Sequence, residues 1–349
     1  MSRTEVWNRK GALWTPFLAL LANFYVLGWA FMRLFRPNKP WSAAVPVLSV
    51  GNLSVGGTGK SLLVRALVER AAGKKMRPAI LLRGYRAEPG PRPLLVLPGM
   101  DARQGGDEAL EHVRACGCAV WLDPDRVRSA RAAQTQGSGC LVLDDGFQRR
   151  WTLRRDLDLL LVDFDELRFD EQLLPAGPWR EPWSQAEQAD AVLVSGAPKG
   201  LKGAALRTAL PPDWRKKPVF RLDRAPLGLE SWPDGKKRPL AFLRRKEVLA
   251  LSGLGRPGNF EGLLQGLGAR ATGWRFPDHH PFSVAELERP PAAAAMIVTT
   301  AKDAVRLPLD WKPALPVYIL RVKAEVDPAP LFWRMVDAAL RQTSMERPR

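Results

Sequence analysis

The sequence predicts an α/β protein: a doubly wound parallel sheet, a second and smaller α/β domain after it, and a hydrophobic helix before it. Short apolar runs alternate with helical patterns from residue 45 to 195. A glycine-rich loop lies between the first run and the first helix. The alternation breaks at a Pro-, Lys- and Arg-rich stretch, Pro198 to Arg245, and then resumes. The expected domains are 1–40, 41–220 and 221–349.

Residues 12–32 are apolar, uncharged and about as long as a membrane span. Arg9 and Lys10 precede them, and Arg33, Arg36 and Lys39 follow. Basic flanks on both sides give no orientation signal, and no small-residue cleavage site stands out. Three readings fit. The aromatic residues Trp14, Phe17, Phe24, Tyr25, Trp29 and Phe31 suit a helix in the membrane interface. A single transmembrane anchor and a helix packed on the protein's own core are the others.

Strands are expected at Val45–Val50, Ala79–Leu82, Leu94–Leu97, Ala119–Leu122, Cys140–Leu143, Leu157–Asp163 and Ala191–Ser195. Helices are expected between several of them, at Leu62–Ala72, Asp107–Ala115 and Pro124–Gln134. Past the basic stretch, strands are expected at Val248–Ser252, Ala271–Phe276, Met296–Thr300 and Val317–Val322, with a closing helix Leu331–Leu340. In such sheets, ligands sit beyond the carboxyl ends of the strands.

The loop reads Gly51-Asn52-Leu53-Ser54-Val55-Gly56-Gly57-Thr58-Gly59-Lys60-Ser61. Strand, glycine loop and helix form the context of a phosphate-binding loop, so Gly56, Gly57, Thr58, Gly59, Lys60 and Ser61 are the nucleotide-binding candidates. Glycines let successive N–H groups turn toward an anion. Lys60 is placed to reach the β/γ-phosphates and the Ser61 hydroxyl to ligate Mg²⁺. The strict pattern departs at one point, where Ser54 replaces its first glycine.

A phosphate-loop enzyme also needs a strand-end carboxylate for Mg²⁺. Leu141-Val142-Leu143-Asp144-Asp145 supplies two, though Asp at a strand end is common in plain turns. Asp107 and Glu108 open a helix, where acids also simply complement its dipole. Asp278-His279-His280 follows a strand in the second domain and suits acid–base work or a capped turn. His112, inside a helical pattern, reads as structural. Arg83-Gly84-Tyr85-Arg86 ends a strand and suits an anion contact or a surface turn. Arg180 and Glu181 lie in a Pro-punctuated loop and are further site candidates.

The 349 residues include 53 Lys and Arg against 36 Asp and Glu, a formal charge of +17, which calls for a polyanionic neighbour. Three cysteines make no disulfide framework or zinc spacing and suit a reducing compartment. A nucleic-acid-binding protein would share the charge, but no binding motif is present. A switch-type or metallochaperone-type GTPase or ATPase would share the loop. Its guanine-reading Asn-Lys-x-Asp is missing, since Thr300-Ala301-Lys302-Asp303 has Lys and Asp adjacent.

Together these segments resemble the tetraacyldisaccharide 4′-kinase, or lipid A 4′-kinase, family. The resemblance rests on residues 49–60, Arg83-Gly84-Tyr85, Gly106-Asp107-Glu108, residues 144–148, Leu174 to Pro178, Arg180-Glu181-Pro182, Phe276 to His280 and Lys302 to Val305, in that order. It implies transfer of the γ-phosphate of ATP to the 4′-hydroxyl of an acylated glucosamine disaccharide 1-phosphate. It further implies a membrane-associating N-terminal helix, an anionic membrane surface as partner rather than nucleic acid, and a place on the cytoplasmic face of the inner membrane. By similarity Asp107 is the base and His279 its partner. Ser61, Glu108, Asp144, Asp145 and Gln148 lie around Mg²⁺ and nucleotide, and Arg83, Tyr85, Arg180, Glu181 and Asp278 around the lipid. Three departures stand out: Ser61 for the usual Thr, Ala301 for the Glu of Thr-Glu-Lys-Asp, and a short Ala/Pro-rich stretch between Phe282 and Met296.

Overall fold

The computed structural model describes residues 15–34, 39–56, 58–85, 87–88, 90–148 and 150–342. Gly57 of the loop, Arg86, and the basic residues Arg9, Lys10 and Arg36 beside the hydrophobic segment lie outside the described residues. The described residues form two compact units, one within 15–223 and 324–342, the other 224–323. The boundaries fall within two long strands.

The first unit contains β1 (Val47–Gly51), β2 (Pro78–Leu82), β3 (Leu94–Leu95), β4 (Ala119–Leu122), β5 (Cys140–Asp144), β6 (Leu157–Asp163), β7 (Ala191–Ser195) and the start of β8 (Val219–Trp232). Their order is β3-β4-β2-β5-β1-β6-β7-β8. All pairings are parallel except the short β3–β4 edge. β1, β2, β5 and β7 are buried along their whole length, as expected of a sheet covered on both faces. One face packs Leu160, Val162, Val192 and Val194 with Phe147, Trp179 and Trp214. The other packs Val47, Leu81, Leu141 and Leu143 with Trp121, Ala130 and Ala133. The chain passes from β5, on one side of β1, to β6 on the other. This reversal makes the carboxyl end of β1 the crevice where a ligand fits.

The second unit contains β9 (Lys237–Arg238), β10 (Glu247–Ser252), β11 (Arg270–Arg275), β12 (Met296–Thr300) and most of β13 (Val317–Asp327). β11-β10-β12-β13 are parallel neighbours. Clusters around Phe260 and Leu264 and around Trp274 and Phe282 cover its faces.

The stretch 198–245, the expected boundary, contains the division between the units after Asp223 and also the 14-residue β8. One expectation is corrected. The closing helix, Ala329–Arg341, packs with the first unit although it comes last in sequence. Phe332 meets the Phe220 ring edge-on at 5.3 Å, and Asp337 pairs with Arg70 and Lys74.

The hydrophobic segment forms a helix, Thr15–Leu34. Among the described residues, no helix is long and apolar enough to cross a membrane. Phe17, Leu20, Leu21, Phe24, Leu27 and Phe31 are exposed, while Leu18, Ala22, Tyr25, Val26 and Trp29 are half-buried. Spacings of three and four put each set on its own face, so one face packs on protein and the other is a bare apolar stripe.

Candidate active site

The loop after β1 runs through a close approach. A Cβ at Gly51 would lie 2.9 Å from the Phe147 Cα, so only glycine lets the two backbones meet. Gly59 has φ 96°, a left-handed turn that caps the helix Lys60–Gly73. The helix N-terminus therefore faces the loop's interior. Gly56 is exposed and Thr58 fully buried. Thr58 Oγ1 finds no hydrogen-bond partner among the described residues.

A second segment lies antiparallel along the loop. Val55 N–H donates to the Pro178 carbonyl at 2.8 Å, Arg180 N–H donates to the Leu53 carbonyl at 2.6 Å, and Ser54 bridges Trp179. Trp179 anchors that segment, buried edge-on against Trp183 and Trp214. Arg180 is thereby aimed over the loop. Its guanidinium donates to Asn52 Oδ1 at 2.6 Å, to the Asn52 carbonyl at 3.1 Å, and to both Asp145 oxygens at 3.1 and 3.3 Å. Lys60 Nζ donates to Asn52 Oδ1 at 2.8 Å and lies 3.3 Å from Asp145 Oδ1. Gln148 Nε2 donates to the Asn52 carbonyl at 2.8 Å. Asn52 thus gathers Lys60, Arg180 and Gln148.

β1 and β5 register Val50 beside Asp144, so the strand-end acids reach the loop. The two acids part company there. Asp144 is buried, and its Oδ2 lies 2.8 Å from His112 Nε2. Asp145 turns away with φ 53° toward Lys60 and Arg180. Burial pushes the Asp145 carboxyl up, but Lys60 and then Arg180 outweigh it and hold it well below the usual carboxylate range. Arg126 also faces these acids; burial pushes it down to about 10 against their attraction.

Asp107 and Glu108 begin the helix Asp107–Cys116. Glu111 of that helix accepts from Arg65 at 2.8 Å, and His112 meets Asp144. These contacts fix the helix to both the loop's helix and β5. The Tyr85 carbonyl sits near Gly106, with a Cβ built there 3.7 Å away. Arg83 and Tyr85 are exposed and Glu181 is buried. Arg83 lies close enough to Arg126 to act on its charge.

The second unit has its own polar cluster. His279 adopts φ 61° after β11. Lys302 Nζ lies 3.2 Å from His279 Nε2 and 3.6 Å from Asp278 Oδ1. An ammonium only donates, so Nε2 is the acceptor of that pair. Asp303 is buried against Arg306 and accepts from Gly253 N–H at 3.1 Å, which shapes the turn beneath His279.

Two site residues were missed by sequence reasoning. Asn52 has no signal beyond its place in the loop. Glu166, 112 positions from Ser54, accepts from its hydroxyl at 2.6 Å where the usual pattern has glycine. His112, read as structural, is buried against Asp144, 32 positions away.

His112 is buried beside an acid, and the balance sets a pH dependence. Burial pushes its pKa down, while Asp144, Cys116 and Glu111 push it up further, to about 9. A raised folded value means stability fully present below the ordinary value near 6.5 and lost as pH rises through about 9. The contribution is roughly 3 kcal/mol. Urea unfolding of the nucleotide-free protein between pH 6 and 10 should show this loss, and His112→Gln should flatten it. An equal slope in both proteins would refute the assignment.

The family model described as tetraacyldisaccharide-1-P 4′-kinase (LpxK) matches residues 13–341. The chain belongs to this family. It is 37% identical over 303 residues to the tetraacyldisaccharide 4′-kinase of Pseudomonas aeruginosa, covering 85% of this chain and 84% of that one. It is 35% identical over 347 residues to that of Paramagnetospirillum magneticum, covering 97% and 98%. Among solved structures, LpxK from Aquifex aeolicus in complex with ATP superposes with a TM-score of 0.71 at 28% identity, covering 97% of this chain and 100% of that one. As a member, this chain is a lipid kinase of lipid A biosynthesis, and the fold and glycine loop agree with that class.

Proposed function

We propose that the loop 51–61 holds ATP and Mg²⁺, and that the γ-phosphate passes to the 4′-hydroxyl of a tetraacyl glucosamine disaccharide 1-phosphate. The observation that carries this is the cation pair Lys60–Arg180 converging on Asn52 and Asp145 above a helix N-terminus. Phosphoryl transfer needs charge neutralisation and alignment more than covalent help. Both cations are held where triphosphate oxygens would exchange for Asp145. The orphaned Thr58 hydroxyl and the loop N–H groups suit the same anion.

Among the described residues, no three His, Cys, Asp or Glu side chains form a metal cluster. That fits Mg²⁺, which takes one or two protein oxygens and completes its shell with phosphates and water. Ser61 and Asp145 are the proposed ligands, with Asp144 and Glu108 beside them and Gln148 bracing the loop. Bound there, Mg²⁺ would supply charge neutralisation to the phosphates. Asp107 is the proposed base for the acceptor hydroxyl, and His279 its functional partner. Arg83, Tyr85, Glu181 and Asp278 are proposed to contact the lipid, while Arg180, grouped with them by resemblance, is proposed to meet the triphosphate instead.

The bare stripe on the helix Thr15–Leu34 supports a monotopic seat on a membrane, and the family's place in lipid A biosynthesis makes the cytoplasmic face of the inner membrane the proposed one. Labelled γ-phosphate should appear on an acylated disaccharide 1-phosphate in detergent micelles when the chain, ATP and Mg²⁺ are present. Phe24→Asp with Leu27→Asp should weaken sedimentation with anionic vesicles at least tenfold while leaving ATP affinity intact. ATP or GTP hydrolysis with no labelled lipid would favour a switch-type NTPase instead.

A further inference from the structure

The half-buried face of the hydrophobic helix reaches the site through a polar contact. Tyr25 Oη donates to the Arg180 carbonyl at 2.7 Å. Arg180 is held on three sides. Its carbonyl is bound by Tyr25, its N–H by the Leu53 carbonyl at 2.6 Å, and its guanidinium by Asn52 and Asp145. Lys60 shares both of those last partners. One phenol therefore connects the apolar-striped helix to the residues that would meet triphosphate.

We propose that Tyr25 is a positioning residue that fixes Arg180 over the phosphate loop, so that the seating of the helix sets the cradle for phosphoryl transfer. The inference rests on the kinase reading given above. The phenol is suited to the part. Burial, then the Glu181 carboxylate, push its pKa up while Arg180 opposes them, which keeps the hydroxyl protonated and a donor. The carbonyl it binds belongs to the same residue whose guanidinium spans Asn52 and Asp145, so a slipped backbone would misalign the fork directly. A bidentate fork tolerates little displacement. Trp29, one turn further along the same half-buried face, keeps that face against protein while Phe24 and Leu27 remain exposed.

Tyr25→Phe in the full chain removes the oxygen and keeps the ring. Turnover on the acylated disaccharide 1-phosphate should fall roughly three- to tenfold, the range of one lost hydrogen bond. Sedimentation with phosphatidylglycerol-containing vesicles should not change, because the exposed stripe is untouched. In an Arg180→Gln background, Tyr25→Phe should cost less than twofold more, since both act through one residue. Fully multiplicative losses would overturn the proposal, as would unchanged turnover in the single variant. Equal losses of vesicle binding and turnover would also overturn it, because Tyr25 would then serve only to dock the helix. Failure of the parent to label lipid would count against the kinase reading itself, a result separable from all three.

Discussion

Lys60→Ala should lower kcat/KM for γ-phosphate transfer by about 10³, near 4 kcal/mol of transition-state stabilisation. Lys60 is the first residue of its helix and half-buried, and its ammonium shares Asn52 Oδ1 and Asp145 with Arg180. Removing it halves the mobile positive charge of the cradle just where negative charge spreads over the transferring group. Arg180 remains, but its fork is committed to the same Asn52 Oδ1 and Asp145 oxygens. Lys60→Arg should not restore the rate, because a planar guanidinium cannot follow the path of a compact ammonium. The fold should survive, with an unfolding free energy within roughly 1 kcal/mol of the parent. Steady-state kinetics with urea unfolding would check both statements. A rate loss under tenfold would mean that Arg180, not Lys60, carries the charge work.

The parts that could be read from the sequence are those with local signatures. Strand, glycine loop and helix are contiguous, so residues 47–73 announce themselves. β6 and β7 are buried runs with clear edges and were placed to the residue. β8 was hidden by Arg221, Asp223, Arg224, Pro226 and Glu230, which look like linker. The structure pairs buried Arg221 with Asp223, and Glu230 with Arg321. The helix Ala329–Arg341 misled because position in the chain says nothing of which unit it covers.

The site divides the same way. Asp144 and Asp145 are indistinguishable as adjacent letters. Asp144 ends the strand facing His112, whereas Asp145 takes a left-handed turn toward Lys60 and Arg180, and these partners come from distant segments. Tyr25 and Arg180 are 155 positions apart, so no pattern in either stretch foretells their contact. Long-range polar pairs have no periodicity, and only the packed fold brings them together.

Asp107→Asn should cut turnover by about 10²–10⁴ while leaving ATP affinity within about threefold. Asp107 is the first residue of a helix whose preceding Gly106 takes the positive φ of 73°. Asn keeps the shape and the helix start, and loses the charge that favours the dipole, worth roughly 0.3–1 kcal/mol. The helix is pinned by Arg65–Glu111 and His112–Asp144, so the substituted side chain stays in place. On the proposed role, what is lost is the ability to take a hydroxyl proton. Single-turnover transfer and equilibrium ATP binding separate this from a metal role. If Asp107 held Mg²⁺, ATP affinity would fall with the rate, and added Mg²⁺ would recover part of both. If it is the base, neither should happen. His279→Gln adds a second axis. Were Asp107 and His279 to work as one unit, the double variant would be scarcely slower than the worse single one, as for residues that share a step. Losses that multiply would leave Asp107 acting alone.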